Sequence, residues 1–257
     1  MLIDTHCHLD FPEFDADRGE VLKRAADAGV KYVINIGSSL QGSINSVKLA
    51  KDYPNVFAVV GCHPHDSRDF SEQDIETVRS LAGFEKVVAI GEIGLDYYRN
   101  LSPQEDQKRI FVSFLRLARE LNLPVVIHSR EARDDTLRIM REENVKKAII
   151  HCFGGDQIFL KECIDRGYLI SFTCNVTYKK AGNIRDAVKA APLEMICLET
   201  DAPYLSPEGY RGKRNDPSFV RILAQEISRI KGLSIEEISR LTTQNAREFF
   251  GLKLDEP

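Results

Sequence analysis

Met1-Leu2-Ile3-Asp4-Thr5-His6-Cys7-His8-Leu9-Asp10 opens the chain. An apolar start runs into two histidines separated by one residue. On an extended strand side chains alternate in direction, so His6 and His8 point to one face and Cys7 to the other. Two imidazoles on one face can grip a single divalent cation. A lone H-x-H also describes a surface strand with two chance histidines, so the weight falls on where the other histidines lie.

Working outward, runs like 2–7 recur near 31–37, 56–62, 87–92, 124–128, 147–151, 168–172 and 195–200. Each is short and rich in Val and Ile, as strands buried on both faces of a parallel sheet are. Helical stretches lie between them. Ser102-Pro103-Gln104-Glu105 reads as an N-cap serine, a first-turn proline and a capping-box glutamate, ahead of Phe111, Phe114, Leu115, Ala118 and Leu121 on one face. Ser71 opens a helix carrying Ile75, Val78 and Leu81. Ser234 with Glu237 caps a last helix that runs through Ile238 and Leu241 to Phe249 and Phe250, stopped by Gly251. Eight strand–helix pairs predict an α/β fold closed as a (β/α)8 TIM barrel of the metal-dependent hydrolase type, with residues 1–257 as one domain. The rival, an open doubly wound sheet, lacks its glycine-rich phosphate loop after the first strand. Segment 202–217 is too long and polar for a mere connector and is expected to serve the site.

The 257 residues are 43% apolar, enough for a sizeable core. No apolar run approaches the roughly 18–20 residues that span a membrane, and no secretory signal is visible, so a cytoplasmic protein without membrane association is expected. Nothing points to an obligatory protein partner. Six cysteines show no C-x-x-C spacing and are read as reduced thiols. Cys7, Cys62 and Cys152, each beside a histidine, are read as small core residues facing the helices. A net charge of −4 argues against a broad basic face that coats duplex nucleic acid, but leaves room for a small positive site.

Barrel enzymes place their chemistry at the C-terminal ends of the strands. There stand His6 and His8 after the first strand, His63 and His65 after the third, Glu92 after the fourth, His128, His151, and Asp201 after the eighth. All six histidines fall on that one rim, which scattered core or surface histidines would not do. Four histidines and two carboxylates exceed the needs of one tetrahedral ion and point to two divalent cations. Glu92 is the natural bridge, His6, His8 and Asp201 complete one position, and His128 and His151 the other. Two cations against two carboxylates leave a local positive surplus that suits an anionic substrate.

Asp4-Thr5-His6-Cys7-His8-Leu9-Asp10, Gly61-Cys62-His63-Pro64-His65, Gly91-Glu92-Ile93-Gly94-Leu95-Asp96, His128-Ser129-Arg130, His151-Cys152-Phe153 and Glu199-Thr200-Asp201-Ala202-Pro203-Tyr204 resemble the TatD-type metal-dependent deoxyribonucleases. Thr243-Gln244-Asn245-Ala246 before Phe249-Phe250 fits as well, so the resemblance runs the length of the chain. It implies hydrolysis of DNA phosphodiesters within the amidohydrolase-like superfamily, often from the 3′ end, on single strands or frayed ends. A water acidified by the cations would attack phosphorus, with Asp201 also taking its proton. Imidazole-rich sites favour zinc, manganese or nickel, while the resemblance implies magnesium; the cofactor expected is two divalent ions, Mg, Mn or Zn.

Around the ligands, His63 is surplus and is assigned to the scissile phosphate, with a structural role as its alternative; His65 is a further substrate-binding candidate. Asp4 and Glu199 share strand parity with His6 and Asp201 and either orient an imidazole or cap a buried backbone group. Arg211, Lys213 and Arg214 are candidates for flanking phosphates, or else a solvated basic cluster. Tyr97, Tyr98, Phe153, Tyr204 and Tyr210 are candidates to stack bases.

Relatives of similar sequence act on other esters, aminoacyl-tRNA included, so a deacylase is one alternative. A small-molecule amidohydrolase is another, disfavoured because many of those barrels bridge their metals with a carbamylated lysine where this chain has Glu92. A non-enzymatic metal-binding protein is the last, and a metal-activated nuclease assay separates it.

Overall fold

The computed structural model describes residues 1–254. Eight strands are present: β1 (Leu2–Cys7), β2 (Val30–Gly37), β3 (Val56–Val60), β4 (Val87–Asp96), β5 (Val125–Arg130), β6 (Ala148–Ile150), β7 (Leu169–Phe172) and β8 (Ile196–Leu198). They form one sheet in the order β1-β2-β3-β4-β5-β6-β7-β8, the sequential parallel order of a (β/α)8 barrel. Helices intervene as α1 (Arg18–Asp27), α2 (Leu40–Asp52), α3 (Glu72–Leu81), α4 (Gln104–Leu121), α5 (Arg133–Glu142), α6 (Gln157–Arg166) and α7 (Gly182–Ala190), with α8 (Val220–Lys231) and α9 (Ile235–Phe250) after β8. Among the described residues no helix is long and apolar enough to cross a membrane.

The chain divides into two compact units, 1–34 with 152–257, and 35–151. In the first, β1 meets the chain beyond β8: the Asp201 amide donates to the His6 carbonyl at 2.8 Å and the His8 amide to the Ala202 carbonyl at 2.7 Å. Every residue of β1 and β8 is buried, so both faces of these strands are packed. Phe14, Phe153, Phe172, Leu223 and Ile227 are among the core side chains here. In the second unit, α4 lays Phe111, Phe114 and Leu115 into a core shared with Ile90, Ile93 and Leu95. Removing a ring such as Phe114 from that core would cost about 3–5 kcal/mol.

Two of the helix starts are as expected: Ser71 and Ser234 each close a capping box, with Asp74 and Glu237. Gly251, with φ 64°, ends α9. The third differs. Pro103, not Ser102, precedes α4 and no side chain caps it. The Ser102 hydroxyl instead donates to the His65 carbonyl at 2.6 Å and accepts from the Arg68 amide at 3.1 Å, pinning the turn after β3.

Strand 4 also departs from expectation, running on past Glu92 to Asp96. Its register on β5 passes from Ile90 opposite Val125 to Ile93 opposite Ile127, so β4 carries an extra residue there. Such a bulge re-aims a side chain, and Glu92 lies in it. Past the bulge the two backbones close up. A Cβ on Gly94, whose φ is 142°, would stand 2.0 Å from the His128 carbonyl oxygen, so only glycine fits.

Candidate metal centre

In the unit containing β1, His6 and His8 end the strand on one face, as alternation requires. Their Nε2 atoms are 3.3 Å apart. Asp201 follows β8 after a short stretch and reaches the same point through a left-handed backbone, φ 57°, which aspartate tolerates better than most residues. Its Oδ1 lies 3.4 Å from His8 Nε2 and 3.7 Å from His6 Nε2. Ligand atoms at about 2.0–2.1 Å from one cation are themselves about 2.9–3.4 Å apart, and these separations are close to that spacing. Glu199 sits behind these side chains. Its Oε1 accepts the Cys152 amide at 2.7 Å, and its Oε2 is 4.0 Å from His6 Nδ1, the ring nitrogen facing away from Asp201.

Asp4 does something else. Its carboxylate accepts the Thr200 amide at 3.0 Å, the Thr200 hydroxyl at 2.5 Å and the His6 amide at 3.2 Å. Of the two roles open to it, the observed contacts are those of a backbone cap. Burial pushes its carboxyl well up, against the lowering effect of the Thr200 bonds.

In the unit containing β3–β6, Glu92 Oε1 stands 2.7 Å from both His128 Nδ1 and His151 Nε2. The two ring nitrogens are 3.2 Å from each other. His63 Nε2 is 3.7 Å from the same carboxylate oxygen, and His63, Glu92 and His128 offer donor atoms close enough to share one ion. The donors are nitrogen and carboxylate oxygen throughout, the set that Zn2+ or Mn2+ accepts. Burial acts to raise the Glu92 carboxyl, but His151, His63 and His128 outweigh it and hold it well below the ordinary range. Burial pushes the His63 imidazole well down, against the raising effect of the Glu92 carboxylate. The Gly91–Glu92 and Ala202–Pro203 peptides are cis.

Asp96, a residue to which the sequence assigns no role, closes the far side of this cluster. Its Oδ2 is 2.8 Å from His65 Nε2 and 3.3 Å from His128 Nε2. Gln107 fixes its backbone, accepting the Asp96 amide at 2.8 Å. Burial acts to raise this carboxyl, and hydrogen bonds from His128, the Arg99 amide and His65 bring it well below the usual range. The sequence held the signal: Glu92, Gly94 and Asp96 share parity on one strand, provided the strand is carried to its true end.

The remaining predicted residues separate clearly. His63 Nδ1 accepts the His65 amide at 3.2 Å, and its ring lies edge-on to His128 at 4.5 Å. Arg214 is bound by Asp17 at 2.8 and 2.7 Å and covers the Phe14 ring, so it ties the 202–217 segment to the start of α1. Arg211 and Lys213 are exposed. Tyr204 is 53% exposed and Tyr98 55%, whereas Phe153 is buried against Phe159 and Phe172 and presents no face for stacking. Tyr97 donates to Asp135 at 2.7 Å, and Tyr210 packs on Phe219. Cys7 and Cys62 are buried as expected. Cys152 is only half-buried, because its backbone is left-handed, φ 49°, and strand alternation no longer governs it.

The sequence model of the family described as TatD related DNase matches residues 3–251. An uncharacterized metal-dependent hydrolase, YabD, from Bacillus subtilis is 38% identical over 252 residues, 97% of this chain and 99% of that protein. A protein from Escherichia fergusonii named 3′-5′ ssDNA/RNA exonuclease TatD is 35% identical over 258 residues, 98% of this chain and 99% of that protein. Among solved structures, YjjV, a TatD homologue from Escherichia coli K12, superposes with a TM-score of 0.94 at 30% identity, covering 98% of each chain.

Proposed function

The chain belongs to the TatD-related DNase family of metal-dependent hydrolases acting on ester bonds, and from that premise we propose that it removes nucleotides from the 3′ ends of single-stranded nucleic acid, DNA in the first instance. The observation that carries the substrate class is the relative from Escherichia fergusonii, named a single-strand exonuclease and similar to this chain end to end. The two donor clusters support the metal dependence. We assign His6, His8 and Asp201 to one divalent ion and His128 and His151 to a second, with Glu92 shared between them. Bound there, Mg2+, Mn2+ or Zn2+ would acidify a water and offset charge developing on the phosphoryl oxygens.

The protein groups prepare that step. Glu92 stays ionised because its imidazole neighbours outweigh its burial. Asp201, its side chain 15% exposed against 4% for Glu92, is assigned to take the proton of the attacking water. His63, 3.7 Å from Glu92, is assigned to the scissile phosphate. Where many amidohydrolase barrels carry a carbamylated lysine, β4 presents Glu92, which favours the nuclease reading over a small-molecule amidohydrolase.

A net charge of −4 argues against an extended basic track for a duplex, so grip on substrate is assigned to the ions, a few basic residues and stacking. The test uses metal-stripped protein with Mg2+ or Mn2+ restored, on a linear single strand and the same strand closed into a circle. The linear strand should shorten stepwise while the circle persists. Equal cutting of both would make the enzyme an endonuclease, and cutting of neither would remove the nucleic-acid assignment.

A further inference from the structure

The metal half-site on β1 continues outward as a wall of aromatic rings. The Phe11 ring stacks on His8 with centroids 4.8 Å apart and planes 20° from parallel. Tyr204 meets Phe11 edge-on at 6.3 Å. Tyr204 is also three residues beyond the ligand Asp201, its amide donating to the Asp201 carbonyl at 2.9 Å. The backbone around it is fixed on the other side too: the Tyr204 carbonyl accepts Asn215 Nδ2 at 2.5 Å, and the Asn215 amide donates to the Pro203 carbonyl at 2.9 Å. A large ring held this firmly, yet 53% exposed, gains little for the fold from facing water.

Beside Tyr204 lies a cleft of about 470 Å3, lined by Glu13, Tyr178, Tyr204, Arg211, Lys213 and Arg214 among others. That is within the range of about 300–1,000 Å3 common to small-molecule sites. Its three basic residues are not equivalent. Arg214 is neutralised by Asp17. Arg211 instead lies over the Tyr178 ring, 4.6 Å from its centroid, and Tyr178 is itself anchored by its hydroxyl to the Ser206 carbonyl at 3.0 Å. Lys213 stands 6.0 Å from the Tyr210 ring. Arg211 and Lys213 therefore bring two charges to the cleft and Glu13 removes one. An exposed aromatic face next to a small cationic surplus matches a nucleotide: a flat base with a phosphate attached.

We propose that this cleft holds the nucleoside adjoining the cleaved phosphate, its base against Tyr204 and its outer phosphate on Arg211 and Lys213. The proposal rests on the exonuclease reading and names the part of the substrate that this face recognises. Stacking that tolerates any base suits an enzyme that shortens strands of arbitrary sequence.

The experiment compares an intact oligodeoxynucleotide with two others carrying an abasic residue, one at the 3′-terminal and one at the penultimate position. With the wild-type enzyme and restored Mn2+, one of the two abasic strands should lose about tenfold in kcat/KM, chiefly through KM, the size of one base stack. Tyr204→Leu should bring the intact strand down by a similar factor and erase the difference, and Tyr204→Trp should keep it. A wild-type enzyme that trims all three strands equally overturns the slot while leaving the nuclease reading intact. Persistence of the abasic penalty in Tyr204→Leu also overturns it. If no strand is trimmed, both readings fall together.

Discussion

Nε2 of His128 lies 3.3 Å from the buried carboxylate of Asp96, while Nδ1 of the same ring lies 2.7 Å from Glu92. With a cation bound, an N–H donated from Nε2 to Asp96 would leave the Nδ1 lone pair for the ion. Asp96 would thereby select the tautomer of an imidazole assigned to a cation, as partners behind ligating imidazoles do. Asp96→Asn keeps the shape and removes the charge. It should weaken metal affinity about 10–100-fold, the usual cost of losing such a partner. Mn2+ titration of the stripped variant would measure this, and activity should return at high metal concentration. Unchanged affinity would assign Asp96 to holding the His65 turn alone.

The strand pattern and the rim of histidines were legible in the sequence because both follow from alternation and apolar runs, which are local. What was not legible depended on contacts far apart in the chain. The serine of Ser102-Pro103 looks like a cap, but a distant turn competes for its hydroxyl and wins. Arg214 sits in a basic loop, and only the fold brings Asp17 to it. Phe153 follows a rim histidine, yet it turns inward against Phe159 and Phe172. The bulge at Glu92 leaves no mark in the sequence beyond its flanking glycines, so the apolar pattern ends β4 at Glu92 and leaves Asp96 outside the strand.

Glu92→Gln nearly preserves volume and deletes the charge around which His128 and His151 gather. Hydrolysis should fall by at least about a hundredfold, more than the loss of a partner lying behind a ligand. Metal content by elemental analysis should fall with it, while the circular dichroism spectrum stays that of the wild type. Near-normal turnover at full metal content would remove Glu92 from the shared position.

Acid stability should depend in part on Asp135. Its carboxyl is held down to about 2, first by the Tyr97 hydroxyl and then by Arg138, with Lys108 assisting. In the unfolded chain an aspartate titrates near about 3.9. The stabilisation is therefore complete above about pH 4 and is lost as pH falls toward 2. Asp135→Asn should lower Tm near neutrality and close the gap to wild type in that acid range. A constant gap from pH 6 down to pH 2 would mean that packing, not charge, accounts for the loss. The effect should be small, because the group is partly open to solvent.

Removing metal should cost activity far more than it costs the fold. β1, β3, β4, β6 and β8 are buried along their whole lengths, a core of apolar packing. A small zinc domain lacks such a core and folds only around its metal. Chelation here would still be felt, since it leaves nitrogen and oxygen donors facing one another at 2.7–3.3 Å. An ion present at a hundred times its Kd contributes about 2.7 kcal/mol. For a protein of this length that corresponds to a fall in Tm of about 5–10 °C on chelation. Calorimetry of stripped and reloaded protein should show a single cooperative transition in both, displaced by about that much, while turnover disappears only in the first. Loss of the transition itself would mean that the ligand strands depend on their ions to fold.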